Sequence, residues 1–127
     1  MTLKRMVLQM GQGTDIRGAD STKAAERAVR DALWRNNLQI ADALRQPRNS
    51  MNIHVTIGAP RPESIDKDAV AAVFPYGKVE VLCEEGGLEI ATPGRDDSTL
   101  LAHAAVVVRM EVLDDIPAST NDGSTAR

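Results

Sequence analysis

The chain has 127 residues, a formal net charge of −3 and 43% hydrophobic residues. That length suits one domain, and that apolar content excludes a disordered chain. Only 2% of the residues are aromatic. A negative charge and so few rings argue against nucleic-acid binding, which needs cations for phosphates and rings for bases. The core must consist of aliphatic side chains and alanine, which pack thinly in a monomer and therefore favour an oligomer.

Cysteine content and the first residues indicate the compartment. Cys83 is the only cysteine, so the sequence allows no intrachain disulfide and no cysteine metal cluster. The first apolar run stops at Gln9, which is not the shape of a signal peptide. No run approaches 18 apolar residues, so no membrane span is expected. We therefore predict a cytoplasmic protein.

The first third of the chain predicts a strand, a loop and a helix. Apolar residues over 3–10 indicate the strand, and three glycines over 11–20 indicate the loop. Asp20 or Ser21 can cap the helix, whose alanine-rich apolar stripe repeats at helical period. Asn36-Asn37 can end that helix, and a short second helix follows.

The rest of the chain predicts mainly strands, because apolar residues alternate with polar ones. We predict strands at 51–58, 78–84, 88–91 and 100–112. A short helix is predicted between the first two of them, at 65–73. The diglycine Gly86-Gly87 predicts that the strand at 88–91 returns antiparallel to its predecessor as a hairpin. The polar tail 114–127 is predicted to be flexible.

The element order β-α-(short α)-β-α-β-β-β predicts an α+β fold. We expect one domain over 1–113, with a mixed sheet of four or five strands and helices packed on one face. The other face is partly apolar, with Val107 beside Arg109. A homo-oligomer would cover this face, and we favour a trimer over a dimer.

The strongest candidate site is the segment Gly11-x-Gly13-x-Asp15-x-Arg17-Gly18, which leads into a capped helix. Free backbone N–H groups and the helix dipole favour an anion there. Arg17 could clamp a carboxylate or phosphate, and Asp15 could orient the ligand or exchange a proton. The alternative is a tight charged turn with an Asp–Arg pair. The spacing fits neither the dinucleotide fingerprint nor the P-loop.

Several further residues are weaker candidates. Asp20, Thr22 and Lys23 open the helix; capping with a solvated lysine is the favoured interpretation, and sharing the anion with Arg17 is the alternative. Glu89 follows two other acidic residues and a diglycine, which indicates a general base, a divalent-cation site or an acidic surface turn. His54 and His103 lie on predicted strands, where a histidine is either an acid or base or a structural residue.

The segment 6–25, with Gly11, Gly13, Asp15 and Gly18, resembles a short bacterial conserved-hypothetical family of the "Lin" type. That family's signature is Gly-x-Gly-x-Asp-x-His-Gly. The runs 53–58, 73–81 and 86–89 are similar to it as well, so the resemblance covers nearly all of 5–112. It implies no settled activity. Arg17 stands at the signature histidine, and a neutral acid or base role does not transfer because arginine stays charged.

Two further resemblances are more distant. The element order is similar to chorismate-mutase-like folds, which form trimers with ligand sites between subunits. Gly-x-Gly followed by Asp-x-Thr-Lys resembles one repeat of the ring-opening amidohydrolases that act on cyanuric acid and barbiturate. Those enzymes use Ser–Lys pairs, whereas no serine and lysine here fall into both places, and the spacing after the second glycine is longer.

These observations predict a protein that binds a small anionic or cyclic polar metabolite at residues 11–18, near a subunit interface. Lys23, His54 or Glu89 would complete the site. We expect no metal and no cofactor, and hydrolysis or proton transfer suits the side chains available because no redox-cofactor motif is present. The alternative is a non-catalytic assembly or regulatory module in which the glycine loop shapes a subunit contact.

Overall fold

The computed structural model describes residues 2–35 and 39–113, which form an α+β fold with a single five-stranded mixed sheet. The strands are β1 (Thr2–Asp15), β2 (Asn52–Ala59), β3 (Lys78–Glu85), β4 (Leu88–Ala91) and β5 (Ser98–Val112). The helices are α1 (Ser21–Arg35), α2 (Ile40–Ala43) and α3 (Lys67–Ala71), with single 3-10 turns at Arg48–Ser50 and Pro62–Ser64. The predicted fold class is confirmed. The predicted helix end at Asn36-Asn37 and the tail 114–127 lie outside the described residues.

Strand β5 is the centre of the sheet. It pairs antiparallel with β1 along one side and with β2 and β4 along the other. β2 takes β5 residues 103–109 and β4 takes 98–101, so β4 continues the line of β2. β3 lies outside β2 and parallel to it, which gives the order β1-β5-β2-β3.

Helices α1 and α3 cover one face of the sheet, and the core lies between them and the strands. Alternate residues of β2 and β5 point into it, as their period-two patterns predict. Its largest fully buried side chains are Met51, Ile53, Ile57, Leu100, Met110, Val29, Val55, Val70, Val106 and Val108. In the described part of the chain, no helix covers the opposite face, which we call the open face.

The prediction of a loop over 11–20 is wrong in its first half. β1 continues to Asp15, and Gly11 and Gly13 pair with Ala104 and Ala102 of β5. Glycine is normally weak in a strand, but here it admits a helix that packs very close to the strand backbone. Only residues 16–20 form the turn into α1.

The predicted hairpin between the strands at 78–84 and 88–91 is also wrong, because β4 pairs with β5 instead of β3. Gly87 has φ of +67°, and a Cβ there would come within 2.0 Å of the Leu101 carbonyl oxygen. The chain therefore crosses against β5 at Gly87 and takes the position that β2 leaves free. No helix in residues 2–35 and 39–113 has the length and apolar character needed to cross a membrane.

Candidate functional site

The two glycines of β1 lie directly under α1. A Cβ on Gly11 would stand 2.5 Å from the Ala28 oxygen and 2.5 Å from the Ala32 nitrogen. A Cβ on Gly13 would stand 2.4 Å from the Ala28 nitrogen. Both glycines therefore allow close strand–helix packing, and their helix-facing side has no room for a ligand.

Asp15 holds the turn that joins β1 to α1. Its side chain is largely buried, and one carboxylate oxygen accepts a hydrogen bond from the Asp20 backbone N–H at 2.8 Å. The Arg27 guanidinium lies 3.5 Å from the other oxygen and donates to the Thr14 carbonyl at 2.7 Å. A Cβ on Gly18 would come within 2.8 Å of the same carboxylate. The predicted Asp–Arg pair exists, but its cation is Arg27 and not Arg17.

The first amides of α1 are already occupied. Asp20 accepts from the N–H groups of Thr22 at 2.9 Å and Lys23 at 3.2 Å, which confirms the predicted cap. The Thr22 hydroxyl accepts from the Asp66 N–H at 2.9 Å. The expectation of bare amides is therefore wrong, because two neighbouring carboxylates take the place of an anion. Arg17 is exposed and has no bonded partner in residues 2–35 and 39–113.

Glu89 lies at the entrance to α1, bound by Arg61. The two guanidinium nitrogens donate to its two oxygens at 2.6 and 3.1 Å, and the Ser98 hydroxyl donates at 2.6 Å. The hydrogen bonds from Arg61 and Ser98 lower the pKa of Glu89 and weaken it as a base. Arg61 also contacts the Ala19 carbonyl at 3.3 Å, so the pair ties β4 to the turn before α1.

Sequence analysis did not single out Arg61. Its backbone adopts the left-handed region at φ of +50°, which is unusual for a residue other than glycine. The only signal in the sequence was its position in Pro60-Arg61-Pro62. The Ser21 hydroxyl donates to the Pro60 carbonyl at 2.6 Å, which anchors the same loop to α1.

The two histidines lie on the open face, across the sheet from Glu89 and the α1 turn. His54 Nδ1 is 3.3 Å from Glu80 Oε1 on the neighbouring strand β3. His103 borders a depression of about 310 Å³ that is lined by Met10, Gly11, Gln12, Asp31 and His103. Within it, Asp31 accepts a hydrogen bond from the Gln12 backbone N–H at 3.0 Å. The structure thus separates His54 from Asp15 and Arg17.

The strand registers arrange the open face in rows, each named here by its β1 residue. The Arg5 row holds Arg5, Arg109, Asn52 and Lys78. The Leu8 row holds Leu8, Val107, His54 and Glu80. The Met10 row holds Met10, Ala105, Thr56 and Leu82. The Gln12 row holds Gln12, His103, Gly58 and Glu84. Large apolar side chains in the middle rows are exposed, including Met10 at 61% and Leu82 at 57%.

Neither a metal site nor a reactive thiol is found among the described residues. Among the described residues, no cluster of three or more His, Cys, Asp or Glu side chains is arranged to hold a metal ion. Burial raises the pKa of the Cys83 thiol, which keeps it protonated and poorly nucleophilic. Ionisable groups and concave shape coincide at two depressions, the one beside His103 and one of about 320 Å³ whose lining includes His54 and Glu80. Only the depression beside His103 meets the predicted segment 11–18, at Gly11 and Gln12.

The fold and this surface define a small α+β protein whose single sheet is covered by helices on one side. The chain belongs to the conserved hypothetical family Lin0512, whose model matches residues 5–108. It is similar to the crystal structure of an FtsZ-like protein of unknown function from Nostoc punctiforme, with 35% sequence identity and a TM-score of 0.77. The match covers 88% of this chain and 99% of that one.

No curated protein matches the chain. The resemblance to the "Lin" family is thus confirmed, and the family match extends over most of the domain. The comparisons lend no support to the more distant likenesses to chorismate-mutase-like folds and ring-opening amidohydrolases.

Proposed function

We propose that this protein binds a small polar molecule in the depression beside His103. The observation that carries the proposal is that His103 and Asp31, which carry an imidazole and a carboxylate, both line one concavity of about 310 Å³. That volume falls at the lower end of the usual range for small-molecule pockets. The ligand would therefore be small.

The lining suits a molecule with a polar edge and an apolar body. The exposed imidazole of His103 can donate or accept a hydrogen bond. The carboxylate of Asp31 accepts hydrogen bonds, and Met10 offers an apolar wall. A cyclic amide fits this combination, because its N–H can donate to a carboxylate that would repel an anion. Hydrolysis or isomerisation of such a ligand would use His103 as the acid or base.

This proposal moves the ligand from the α1 turn to the middle of β1. The turn offers occupied amides and neighbouring carboxylates, which disfavour an anion. The depression instead meets the predicted segment at Gly11 and Gln12. Ligand roles for Arg17, Lys23, Gly18 and His54 stay predictions.

A thermal-shift screen of small carboxylates and cyclic amides tests the proposal, with a hit confirmed by amide NMR shifts. His103→Ala removes the imidazole that lines the depression, and His54→Ala is the matched control on the same face. We expect a compound that raises the melting temperature of the wild type and of His54→Ala but not of His103→Ala. NMR shifts centred on Gly11, Gln12 and Asp31 would support the site. A screen without hits, or hits indifferent to His103→Ala, would reject it.

A non-catalytic assembly module is the second candidate, and the uncovered apolar sheet face favours it. The sequence alone predicts that, in such a module, the glycine segment shapes a subunit contact. The close approach of Gly11 and Gly13 to α1 assigns those residues to a contact inside the chain instead. In this alternative, His103→Ala and its control would behave alike with every compound, while the chain would still associate.

A further inference from the structure

The open face combines exposed apolar side chains with charges that lack partners. Arg5 and Arg109 lie directly opposite each other on β1 and β5, which is unfavourable for like charges. In residues 2–35 and 39–113, neither of them forms an ion pair, and neither do Lys78 and Glu84. On the open face, the exposed apolar side chains therefore lie in the two middle rows, and the unpaired charges lie in the two outer rows.

We propose that the open face docks onto the open face of a second copy of this chain. The two copies would be related by a two-fold axis that runs across the strands, between the Leu8 row and the Met10 row. A two-fold contact uses the same patch on both copies and leaves no open end for further growth. This inference does not rest on the proposed ligand, although the two share Met10, Gln12 and His103, so the depression would lie at the boundary between the two copies.

The available area is adequate for a pair. From Leu101 to Arg109 the face extends about 30 Å along the strands, and four strands give a width of about 20 Å. Each copy thus offers about 600 Å² in flat projection, and two copies bury about 1,200 Å², the lower limit for specific stable interfaces. The relief of the side chains adds to this area, and stacked sheets pack about 10 Å apart.

Charge decides the direction of the axis. An axis along the strands would place β1 over β3 of the second copy, with Arg5 over Lys78 and therefore cation over cation. An axis across the strands reverses the rows, so the Arg5 row lies over the Gln12 row of the second copy. Lys78 then faces Glu84 of the second copy, and symmetry produces this ion pair twice.

The same axis brings the apolar rows together. Leu8 faces Met10 of the second copy, and Val107 faces Ala105 of the second copy. Stacked sheets cross at about 30°, which shifts positions at the β3 edge by about 4 Å relative to the centre. A lysine side chain spans that shift, so the contact between Lys78 and Glu84 remains within reach. An axis that passed through the Met10 row would instead place Glu80 against Glu84.

Charge exchange tests the pair, with masses measured on the full chain by sedimentation velocity. Lys78→Glu and Glu84→Lys each create two repulsive contacts in the pair, and we expect each to weaken association by about tenfold or more. The double variant restores opposite charges and should associate to within about threefold of the wild type. Lys67→Glu makes the same charge change on α3, across the sheet, and should leave association unchanged.

A second variant probes the apolar middle of the face without relying on charge exchange. Met10→Glu places a carboxylate between the stacked sheets and should give a folded monomer, verified by circular dichroism. A monomeric wild type, a trimer as favoured from the sequence, or a double variant that fails to recover would each overturn the proposal. A ligand screen that fails while the charge exchange succeeds would reject only the proposed function.

Discussion

Gly13 of β1 and Ala28 of α1 touch backbone to backbone: a Cβ added to Gly13 would lie 2.4 Å from the Ala28 nitrogen. Ala24, Ala28 and Ala32 form the buried stripe of α1 that makes this approach possible. The glycine-x-glycine pattern of β1 and the alanine stripe of α1 therefore form the two sides of one packing contact. A pattern that resembles a ligand-binding loop is in fact the surface on which α1 packs.

Gly13→Ala is predicted to destabilise the fold. The new methyl would meet helix backbone, which cannot rotate away as a side chain can, so α1 would have to lift from the sheet. We expect a loss of at least about 2 kcal/mol in the free energy of unfolding, measured by urea denaturation.

Gly58→Ala is the matched control for that change. It lies in strand β2, and the nearest atom to its added Cβ is the Gly86 Cα at 3.7 Å, an ordinary contact. The decrease in the free energy of unfolding of Gly58→Ala should stay below about 1 kcal/mol. Equal losses in the two variants would contradict the packing role of Gly13.

Glu89→Gln is predicted to change the pH dependence of stability. Arg61 and Ser98 hold the pKa of Glu89 below its ordinary value, so the ionised pair stabilises the folded state above that value. This contribution is lost as the pH falls through the lowered pKa. The wild type should therefore be more stable than Glu89→Gln at pH 7, and the difference should shrink as the pH falls below the ordinary pKa of a glutamate.

Denaturation midpoints between pH 3 and pH 7 measure this effect. Asp96→Asn is the control, because Asp96 is exposed and has no bonded partner among the described residues. A difference between wild type and Glu89→Gln that stayed constant with pH would show that the pair does not act through its charge.

Asp15→Ala should lower the stability of the fold strongly and Arg17→Ala should hardly change it, although the two residues are neighbours in the signature. Asp15 is 8% exposed and accepts the Asp20 N–H, so its loss leaves that donor unsatisfied and should cost about 2 kcal/mol. Arg17 is exposed, and its loss should change stability by less than about 0.5 kcal/mol. Thermal and urea unfolding of both variants check this. A large effect of Arg17→Ala would show a contact that the present fold lacks.

Cys83 is predicted to react slowly with alkylating reagents. Its thiol packs against the core, and desolvation raises its pKa, so the reactive thiolate is scarce at pH 8. Iodoacetamide labelling in buffer should be much slower than in concentrated urea, as followed by mass spectrometry. Labelling at equal rates would contradict the half-buried position.

Much of the fold could be predicted from local patterns. The period-two alternation from Ala104 to Met110 and the cap at Asp20 depend on neighbours in the chain, and the structure confirms both. The partner of β4 could not be predicted, because it depends on where β2 ends and on Gly87 passing the Leu101 carbonyl. The same holds for Arg61, whose partners lie up to 42 residues away.

The sequence by itself determined the element order, the faces of the strands and the start of α1, because each follows from periodicity or capping within a few residues. Only the tertiary structure decided what the glycines of β1 contact, since this depends on the depth at which α1 lies on the sheet. It also decided which charges share a row of the open face, because strand order and register join residues that are far apart in the chain. Function follows from such juxtapositions, which a single sequence does not record.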